Sequence, residues 1–289
     1  MQKHSTILRK DSVDTVAIGS FDGVHLGHKE LIKRLGKNGA LFVVDKDQAN
    51  LTPGVKRSEY SKYPCMFYHF LKLKNLSGAE FIELLKKEFP ALKKIVVGYD
   101  FKFGANKSCD AQMLKNMYDG EVEIVEEFKY KNISVHSSTI RELIKCGDIV
   151  KANGFLGREY AIQGDVIQGQ GIGKKETFPT LNLKVRDYLF PKEGVYATRT
   201  RIGFSVYDSV SFIGVRQSTD NLFSIETHII NEKIENVTLA EIFFVDFLRE
   251  NIKFSNLRQL KEQICKDIKN AKERLSSCKL YLMDFLEQE

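Results

Sequence analysis

The stretch "AIGSFDGVHLGHKELIKRL", residues 17–35, decides the fold of the first half of the chain. An apolar strand pattern ends at Ile18, a glycine-containing loop with His25 and His28 follows, and a helical stripe runs to Leu35. The unpaired N–H groups at the start of a helix, beside glycines that let the backbone approach a ligand, suit a phosphate group. The two histidines could also bind a metal, act in catalysis, or only cap the helix and pack.

Composition narrows these alternatives. The chain has 289 residues, of which 43% are hydrophobic and 28% charged, so a large core and a soluble surface are expected, in two domains or one large one. Its five cysteines are scattered without a C-x-x-C pair, and no carboxylate cluster accompanies the histidines, which disfavours a disulfide framework or a zinc site. No apolar run is long enough to span a membrane and the start of the chain lacks a signal-peptide pattern, so a cytoplasmic protein is predicted.

The net charge of +6 suits anionic substrates such as nucleotides. No basic run is interleaved with aromatic residues, so neither a nucleic-acid partner nor a membrane partner is predicted. The sequence contains no GxxxxGK[ST] segment, and any phosphate site would therefore differ from a P-loop.

The two halves of the chain differ in their pattern of predicted strands and helices. In the first half strand and helix patterns alternate, which predicts a parallel sheet covered on both faces, with ligands at the carboxyl ends of its strands. The patterns are strands at 16–18, 40–44, 95–97 and 121–125, and helices at 28–35, 79–89, 138–145 and 148–156. After Gly157 about six short strand patterns, between 160 and 247, predict a barrel or sandwich, and a helical stripe from Leu257 to Leu275 closes the chain. We therefore predict domains at 1–157 and 158–289.

Three segments of the first half carry a family resemblance. The string "GSFDGVHLGH" resembles the G-x-F-D-x-x-H-x-G-H signature of the nucleotidyltransferase superfamily, in the variant of the bacterial bifunctional riboflavin kinase/FAD synthetase family. "VVGYDFKFGANKSCD" at 96–110 is similar to the family's G-x-D-F-x-F-G segment. "VHSSTIREL" at 135–143 resembles its V-S-S-T-x-I-R motif, with His136 in place of a serine in the ungapped alignment.

The resemblance implies a Rossmann-like nucleotidyltransferase fold that adenylylates FMN. It assigns catalytic roles to His25, His28 and Arg141, which would stabilise the triphosphate and the leaving pyrophosphate. It implies nucleotide binding by Gly19, Ser20, Phe21, Asp22, Gly27, Ser137, Ser138 and Thr139, and flavin binding by Asp100, Phe101 and Phe103. Serine hydroxyls near a helix start, with an arginine one turn later, can hold phosphates, although "SST" alone could be an ordinary helix cap.

The second half resembles the family's riboflavin kinase domain, an all-β barrel with a closing helix. In "GDVIQGQGIGKKETFPTLNL", residues 164–183, the resemblance places Gly169 and Gly173 in a nucleotide-binding loop. Thr180 and Asn182 fall on one strand face, and their oxygens suit a magnesium ion that also touches ATP. The alternative is a hairpin loop followed by a half-exposed strand.

"FSIETHII" at 223–230 places Glu226 where the family has its catalytic glutamate, and Arg249 matches a flavin-binding position. A carboxylate base can take the proton from the riboflavin hydroxyl during phosphoryl transfer. Alone, Glu226 could equally be a surface residue of an edge strand.

The match is uneven. The family's T-F-x-P-H-P segment is absent from residues 45–70, Thr177 replaces a glycine, and "RQST" at 216–219 replaces an R-P-T segment. We expect phosphorylation of riboflavin to FMN and then adenylylation to FAD, with ATP as co-substrate and Mg²⁺ as cofactor. The alternatives are a monofunctional FMN adenylyltransferase with a degenerate flavin-binding barrel, or a non-enzymatic flavin- or RNA-binding regulator.

Overall fold

The computed structural model describes residues 8–46, 50–167, 178–217, 221–232 and 234–278. Contacts divide the chain into two compact units, Met1–Ser137 and Ser138–Glu289. This division falls before the expected one, and the boundary after residue 157 stays a prediction. Within the described ranges no helix is both long and apolar enough to cross a membrane.

The first unit is built on a five-stranded parallel sheet in the order β3-β2-β1-β4-β7. Its strands are β1 (Thr15–Gly19), β2 (Gly39–Asp45), β3 (Cys65–His69), β4 (Lys94–Gly98) and β7 (Glu121–Val125). Two small antiparallel pairs accompany it, β5 (Lys102–Phe103) with β6 (Cys109–Asp110) and β8 (Lys129–Tyr130) with β9 (Ile133–Ser134). The helices are α1 (Leu26–Ile32), α2 (Lys56–Ser61), α3 (Phe70–Leu73), α4 (Gly78–Glu88) and α5 (Ala111–Met117). The predicted parallel sheet is confirmed.

Both faces of this sheet are buried, which explains the continuous apolar runs of its central strands. Val16 and Ile18 of β1 face one hydrophobic cluster with Phe42, Phe81 and Leu85. Ala17 between them faces the opposite cluster with Phe21. Strand β3 at the sheet edge is only half-buried, and although its residues 65–68 are apolar, it was not predicted as a strand.

The second unit begins with α6 (Ser137–Cys146), which straddles the division between the units, and α7 (Ile149–Leu156). Six antiparallel strands then close a barrel in the order β10-β11-β14-β13-β12-β15. They are β10 (Tyr160–Ile167), β11 (Leu181–Val185), β12 (Gly194–Ile202), β13 (Ser205–Val215), β14 (Phe223–Ile229) and β15 (Leu239–Arg249), and α8 (Leu257–Ser277) follows. Of the two predicted architectures, the barrel is the observed one.

Helix α7 belongs with the barrel through a buried asparagine. The Asn153 amide donates from Nδ2 to the Phe244 carbonyl at 2.8 Å, and its Oδ1 accepts the Tyr160 N–H at 2.7 Å. Helix α8 packs from the outside through Ala271 and Leu275, against a cluster that includes Ala197 and Val245.

Hydroxyl groups lie fully buried within the barrel wall. Oxygens of β12, β13 and β14 form five contacts of 2.8–3.1 Å that close into a ring, in the order Thr198, Ser209, Thr200, Thr227, Ser211 and back to Thr198. All five residues are 0% exposed, so their hydroxyls satisfy one another.

Candidate active sites

The signature loop between β1 and α1 is fixed by a buried carboxylate. Asp22 is 1% exposed, and its Oδ1 accepts the N–H groups of Leu51 and Thr52, each at 3.0 Å. The Thr52 hydroxyl in turn accepts the Gly23 N–H at 2.8 Å. These three hydrogen bonds, between residues 29 or 30 positions apart, tie the loop to the segment after β2, at the carboxyl edge of the sheet where ligands bind.

The loop also contains strained backbone. Phe21 and Val24 have φ values of 50° and 39°, in the left-handed region that non-glycine residues avoid, and both side chains are completely buried. Such conformations persist where the surrounding packing enforces them and are frequent at functional sites. The predicted residues Gly19 and Ser20 lie at the end of β1 and immediately after it.

His25 and His28 stand together at the start of α1. His25 Nδ1 accepts the His28 N–H at 3.2 Å and caps the helix, and the two rings stack with centroids 3.6 Å apart. A neutral His25 that accepts at Nδ1 carries its proton on Nε2, which remains a hydrogen-bond donor. A Cβ at Gly27 would lie 3.3 Å from the His25 ring, so a residue with a side chain at this position would require the ring to shift slightly. The cap and the donor role are therefore compatible.

The "SST" segment meets the signature loop through its first serine. The Ser137 hydroxyl donates to the Asp22 carbonyl at 2.7 Å, although 115 positions separate them in sequence. Ser138, Thr139 and Arg141 lie in the following turns of α6, within the second unit.

A polar network around Glu127 precedes this serine. The Tyr99 hydroxyl donates to Glu127 Oε1 at 3.2 Å, and His136 Nε2 lies 3.9 Å from the same oxygen. Hydrogen bonds from Ser134, Lys129 and Tyr99 lower the pKa of Glu127, the first contributing most. His136, the departure from the family motif, thus faces a carboxylate.

The aromatic residues of the G-x-D-F-x-F-G segment lie in the core. Phe103 is 6% exposed and stacks with Phe101 at 5.6 Å, and both rings contact Phe81 of α4. Asp100 is exposed beside Tyr99, whose ring is 46% exposed. The flavin-binding role of Asp100, Phe101 and Phe103 stays a prediction.

The candidate kinase site lies on the outer face of the barrel. Strand register pairs Asn182 of β11 with Glu226 of β14, which places both side chains on one face, and Thr180 immediately precedes β11. Glu226 Oε1 accepts from the Ser224 hydroxyl at 2.9 Å and from Arg216 Nη1 at 3.3 Å. Gly169 and Gly173 lie outside the described residues.

Sequence reasoning assigned no role to three neighbours of Glu226, although strand alternation already placed His228 on the same face. Ser224 and His228 alternate with the buried residues of β14 and therefore share the Glu226 face, a signal that strand periodicity contains. His228 Nδ1 contacts the Pro179 carbonyl at 2.8 Å and its ring packs edge-on to Phe178, so it anchors the segment that carries Thr180. Arg216 comes from the end of the neighbouring strand and has no such sequence signal.

Arg249 has a structural partner. Its guanidinium forms a fork with Asp267 of α8, with contacts of 2.7–3.1 Å, and Nη1 donates to the Glu250 carbonyl at 2.9 Å. This arrangement joins β15 to α8. The flavin-binding role of Arg249 stays a prediction.

A magnesium ion fits the oxygen donors of this face. Within the described residues no cluster of three or more histidine, cysteine or acidic side chains could hold a metal. The Thr180 hydroxyl and the Asn182 amide oxygen are nevertheless hard ligands, and Mg²⁺ commonly takes only one or two protein ligands and completes its shell with water and phosphate.

Comparisons with known proteins match both halves of the chain. A family model described as FAD synthetase matches residues 8–53 and 54–139, and one described as riboflavin kinase matches residues 156–275. The bifunctional riboflavin kinase/FMN adenylyltransferase of Listeria monocytogenes is 30% identical over 87% of this chain and 89% of that protein. The chain belongs to the bifunctional riboflavin kinase/FMN adenylyltransferase family. The family's protein from Buchnera aphidicola is 29% identical, covering 91% of this chain and 94% of its own.

A solved structure has the same fold. The crystal structure of a protein named macrolide-efflux protein, from Streptococcus pneumoniae, has a TM-score of 0.81 and 25% identity, covering 90% of this chain and 94% of that one. The predictions of family, fold class and enzymatic activity are thus confirmed, with FAD synthetase and riboflavin kinase domains in one chain.

Proposed function

We propose that the barrel phosphorylates riboflavin to FMN and that the parallel-sheet unit then adenylylates FMN to FAD, both with ATP. The observation that carries the first step is the register that sets Asn182 beside Glu226, with Thr180 before the same strand. The second step is supported by the stacked His25 and His28 on a loop fixed through Asp22.

In the kinase step Glu226 is the base for the riboflavin hydroxyl. Ser224 and Arg216 both contact its Oε1, so the carboxylate is held in one orientation and Oε2 can accept the proton. Thr180 and Asn182 would hold Mg²⁺, which neutralises phosphate charge when it is bound. His228 keeps Thr180 in place through the Pro179 carbonyl.

The adenylyl-transfer step needs no base, because the attacking FMN phosphate is already anionic at neutral pH. It requires alignment and stabilisation of the charge that moves to pyrophosphate. His25 supplies a donor at Nε2, and Ser137 holds the loop in place through the Asp22 carbonyl. The family resemblance assigns phosphate-binding roles in the same reaction to Arg141, Ser138 and Thr139.

The proposal includes the cellular location of the enzyme and its small-molecule partners. All five cysteines are free, as expected of a cytoplasmic protein, and the sequence has no basic run suited to nucleic acid. Flavins and ATP are the proposed partners, with Mg²⁺ as the cofactor.

A time course tests the order of the two reactions. The chain is incubated with riboflavin, ATP and Mg²⁺, and the flavins are separated by chromatography. FMN is expected to rise first and FAD to follow. Conversion of supplied FMN to FAD without consumption of riboflavin would favour the monofunctional alternative, and turnover of neither flavin would favour the regulator.

A further inference from the structure

Glu127 joins three parts of the chain at the carboxyl edge of the parallel sheet. Its Oε1 accepts the Tyr99 hydroxyl at 3.2 Å, directly after β4, and lies 3.9 Å from Nε2 of His136, directly before α6. Its Oε2 pairs with Lys129 of β8 at 3.2 Å. Because all three partners are partly exposed, these contacts contribute little to the free energy of folding.

The segment after β9 is fixed by its backbone as well as by this carboxylate. The Val135 N–H donates to the Phe128 carbonyl at 3.3 Å, and Val135 is 5% exposed. The contact between Glu127 and His136 lies one residue beyond this hydrogen bond on each stretch of chain. A backbone contact and a side-chain contact therefore connect the same two stretches, immediately before the first serine of the "SST" segment.

This segment meets the signature loop at two points. The Ser137 hydroxyl donates to the Asp22 carbonyl at 2.7 Å. The Val135 carbonyl approaches Gly27, where an added Cβ would lie 3.5 Å from its oxygen. The two points lie on either side of His25 in the sequence, so the loop that carries the paired histidines is supported by the segment that Glu127 contacts.

We propose that Glu127 is a positioning residue for adenylyl transfer, which holds the segment that carries Ser137 and, through it, the signature loop with its two histidines. The inference rests on the proposed function of the first unit. A displacement of about 1 Å in groups that align a reaction can reduce its rate about 10²-fold. Glu127 acts on the reacting groups only through this segment, so its loss lowers the kcat for FAD formation more than it changes the KM for FMN or ATP.

The test compares Glu127→Ala with Glu127→Gln in the full chain. Glu127→Ala removes every contact of the carboxylate, and we expect the kcat for FAD formation from FMN and ATP to fall about tenfold. Glu127→Gln keeps an oxygen that can accept the Tyr99 hydroxyl but loses the charge, so its kcat should fall by about two- to fivefold. The matched control is Glu126→Ala, which removes the same charge from the exposed neighbouring residue and should leave kcat unchanged.

Thermal unfolding and riboflavin phosphorylation are measured on the same samples. Because the contacts of Glu127 are partly exposed, the unfolding midpoint should hardly change, and riboflavin should be phosphorylated at the wild-type rate. A wild-type kcat for FAD formation in folded Glu127→Ala would overturn the inference. An equal fall of kcat in the control would do the same, as would a raised KM with unchanged kcat, which would mean that Glu127 binds substrate directly.

A double-mutant cycle with Ser137→Ala tests the route of this effect. If Glu127 acts through Ser137, the double variant loses little more kcat than the more damaging single variant. Losses that are additive in free energy would show that the two residues act separately and would contradict the proposal. Should Glu127→Ala not fold, the same cycle with Glu127→Gln decides, and a wild-type kcat in that variant would overturn the inference. Failure of the unaltered chain to form FAD would instead contradict the proposed function.

Discussion

Glu226 combines a catalytic assignment with a defined set of contacts. Its Oε1 is held by Ser224 and Arg216, on the face shared with Asn182. Glu226→Gln preserves the shape but cannot take a proton, so riboflavin phosphorylation should fall about 10²- to 10⁴-fold. Supplied FMN should still be adenylylated at the wild-type rate. Chromatographic assay of both flavins measures this, with Glu250→Gln, an exposed barrel glutamate, as control. A variant that still makes FMN normally would refute the base assignment.

His28 belongs to the other reaction. Its ring stacks on His25 at the start of α1. His28→Ala should reduce FAD formation from FMN by about 10²-fold or more, because a group that stabilises the departing pyrophosphate is removed, while FMN formation continues. His69→Ala, at a second histidine that caps a helix in the same unit, is the control. Loss of both activities would contradict the division of labour between the two units.

Variants of His25 distinguish a helix-capping role of this residue from a role in catalysis. Its Nδ1 caps α1, and asparagine is also a good N-cap, so His25→Asn should leave the thermal midpoint nearly unchanged and still lose FAD formation. His25→Ala should lose the activity and also about 1 kcal/mol of stability. Calorimetry alongside the flavin assay distinguishes the two effects. An active His25→Asn variant would show that capping is its whole contribution.

At the residue scale, sequence motifs located the signature loop but not the hydrogen bonds that fix its conformation. The nucleotide-binding role of Asp22 stays a prediction, and the structure adds that its Oδ1 accepts from Leu51 and Thr52 and its carbonyl from Ser137. These contacts span from 29 to 115 positions, and no local pattern encodes such separations. The burial of Arg57, which is 1% exposed, was not predicted either, because an isolated arginine in a helix normally lies on the surface.

At the scale of elements, an ion pair between Arg249 and Asp267 joins α8 to β15. Asp267 is 3% exposed and receives the Arg249 fork and the Gln263 amide. Asp267→Asn removes the charge and leaves Arg249 without its counterion, so the free energy of unfolding should fall by about 3 kcal/mol. Denaturant unfolding measures this. The control is Arg258→Gln, which breaks an exposed pair with Glu262 and should have little effect. Equal effects of the two variants would show that the fork does not anchor α8.

The elements themselves were predictable where burial leaves a periodic pattern. The strands at 40–44 and 95–97 and the helix at 79–89 match β2, β4 and α4 closely, because each presents a continuous or amphipathic apolar surface. Helix α2 and edge strand β3 were not predicted. The buried positions of α2 are Lys56, Arg57, Ser58 and Ser61, which is opposite to the apolar pattern that identifies a helix.

At the scale of the molecule, the stability of the folded state depends on pH through the buried carboxyl group of Glu159. Glu159 pairs with Arg199 inside the second unit, with Asp208 on the far side of the guanidinium. Burial outweighs the arginine and raises the pKa of Glu159 to about 7. The folded state therefore binds the proton more tightly than the unfolded state, and stability falls as pH rises from the ordinary glutamate pKa to about 7.

Glu159→Gln should remove this dependence. We expect wild type to lose on the order of 1–3 kcal/mol between pH 5 and 8 through this group, while the variant loses less. Thermal unfolding across this pH range measures the stability of both proteins, and the difference between wild type and variant is compared at each pH. Parallel curves would show that Glu159 does not titrate in this interval.

The two-part organisation was visible in the sequence because strand–helix alternation gives way to short successive strands. The strand pattern alone did not distinguish a barrel from a sandwich, and the family resemblance supplied the barrel that the structure confirms. Pairing of β10 with both β11 and β15 distinguishes them, and this depends on strands distant in sequence. The helices between 138 and 156 likewise alternate with the first-unit strands but cluster with the barrel.

The hydroxyl ring in the barrel wall has a consequence for how this protein can change. Each of the five oxygens is joined to two others, so replacing one hydroxyl by a methyl group leaves two neighbours with one partner instead of two, in a place without solvent. A single substitution in this ring should therefore reduce stability more than replacement of all five residues by apolar side chains. Over evolutionary time the five positions should be inherited as a block, and a designer who wishes to repack this barrel should alter them together.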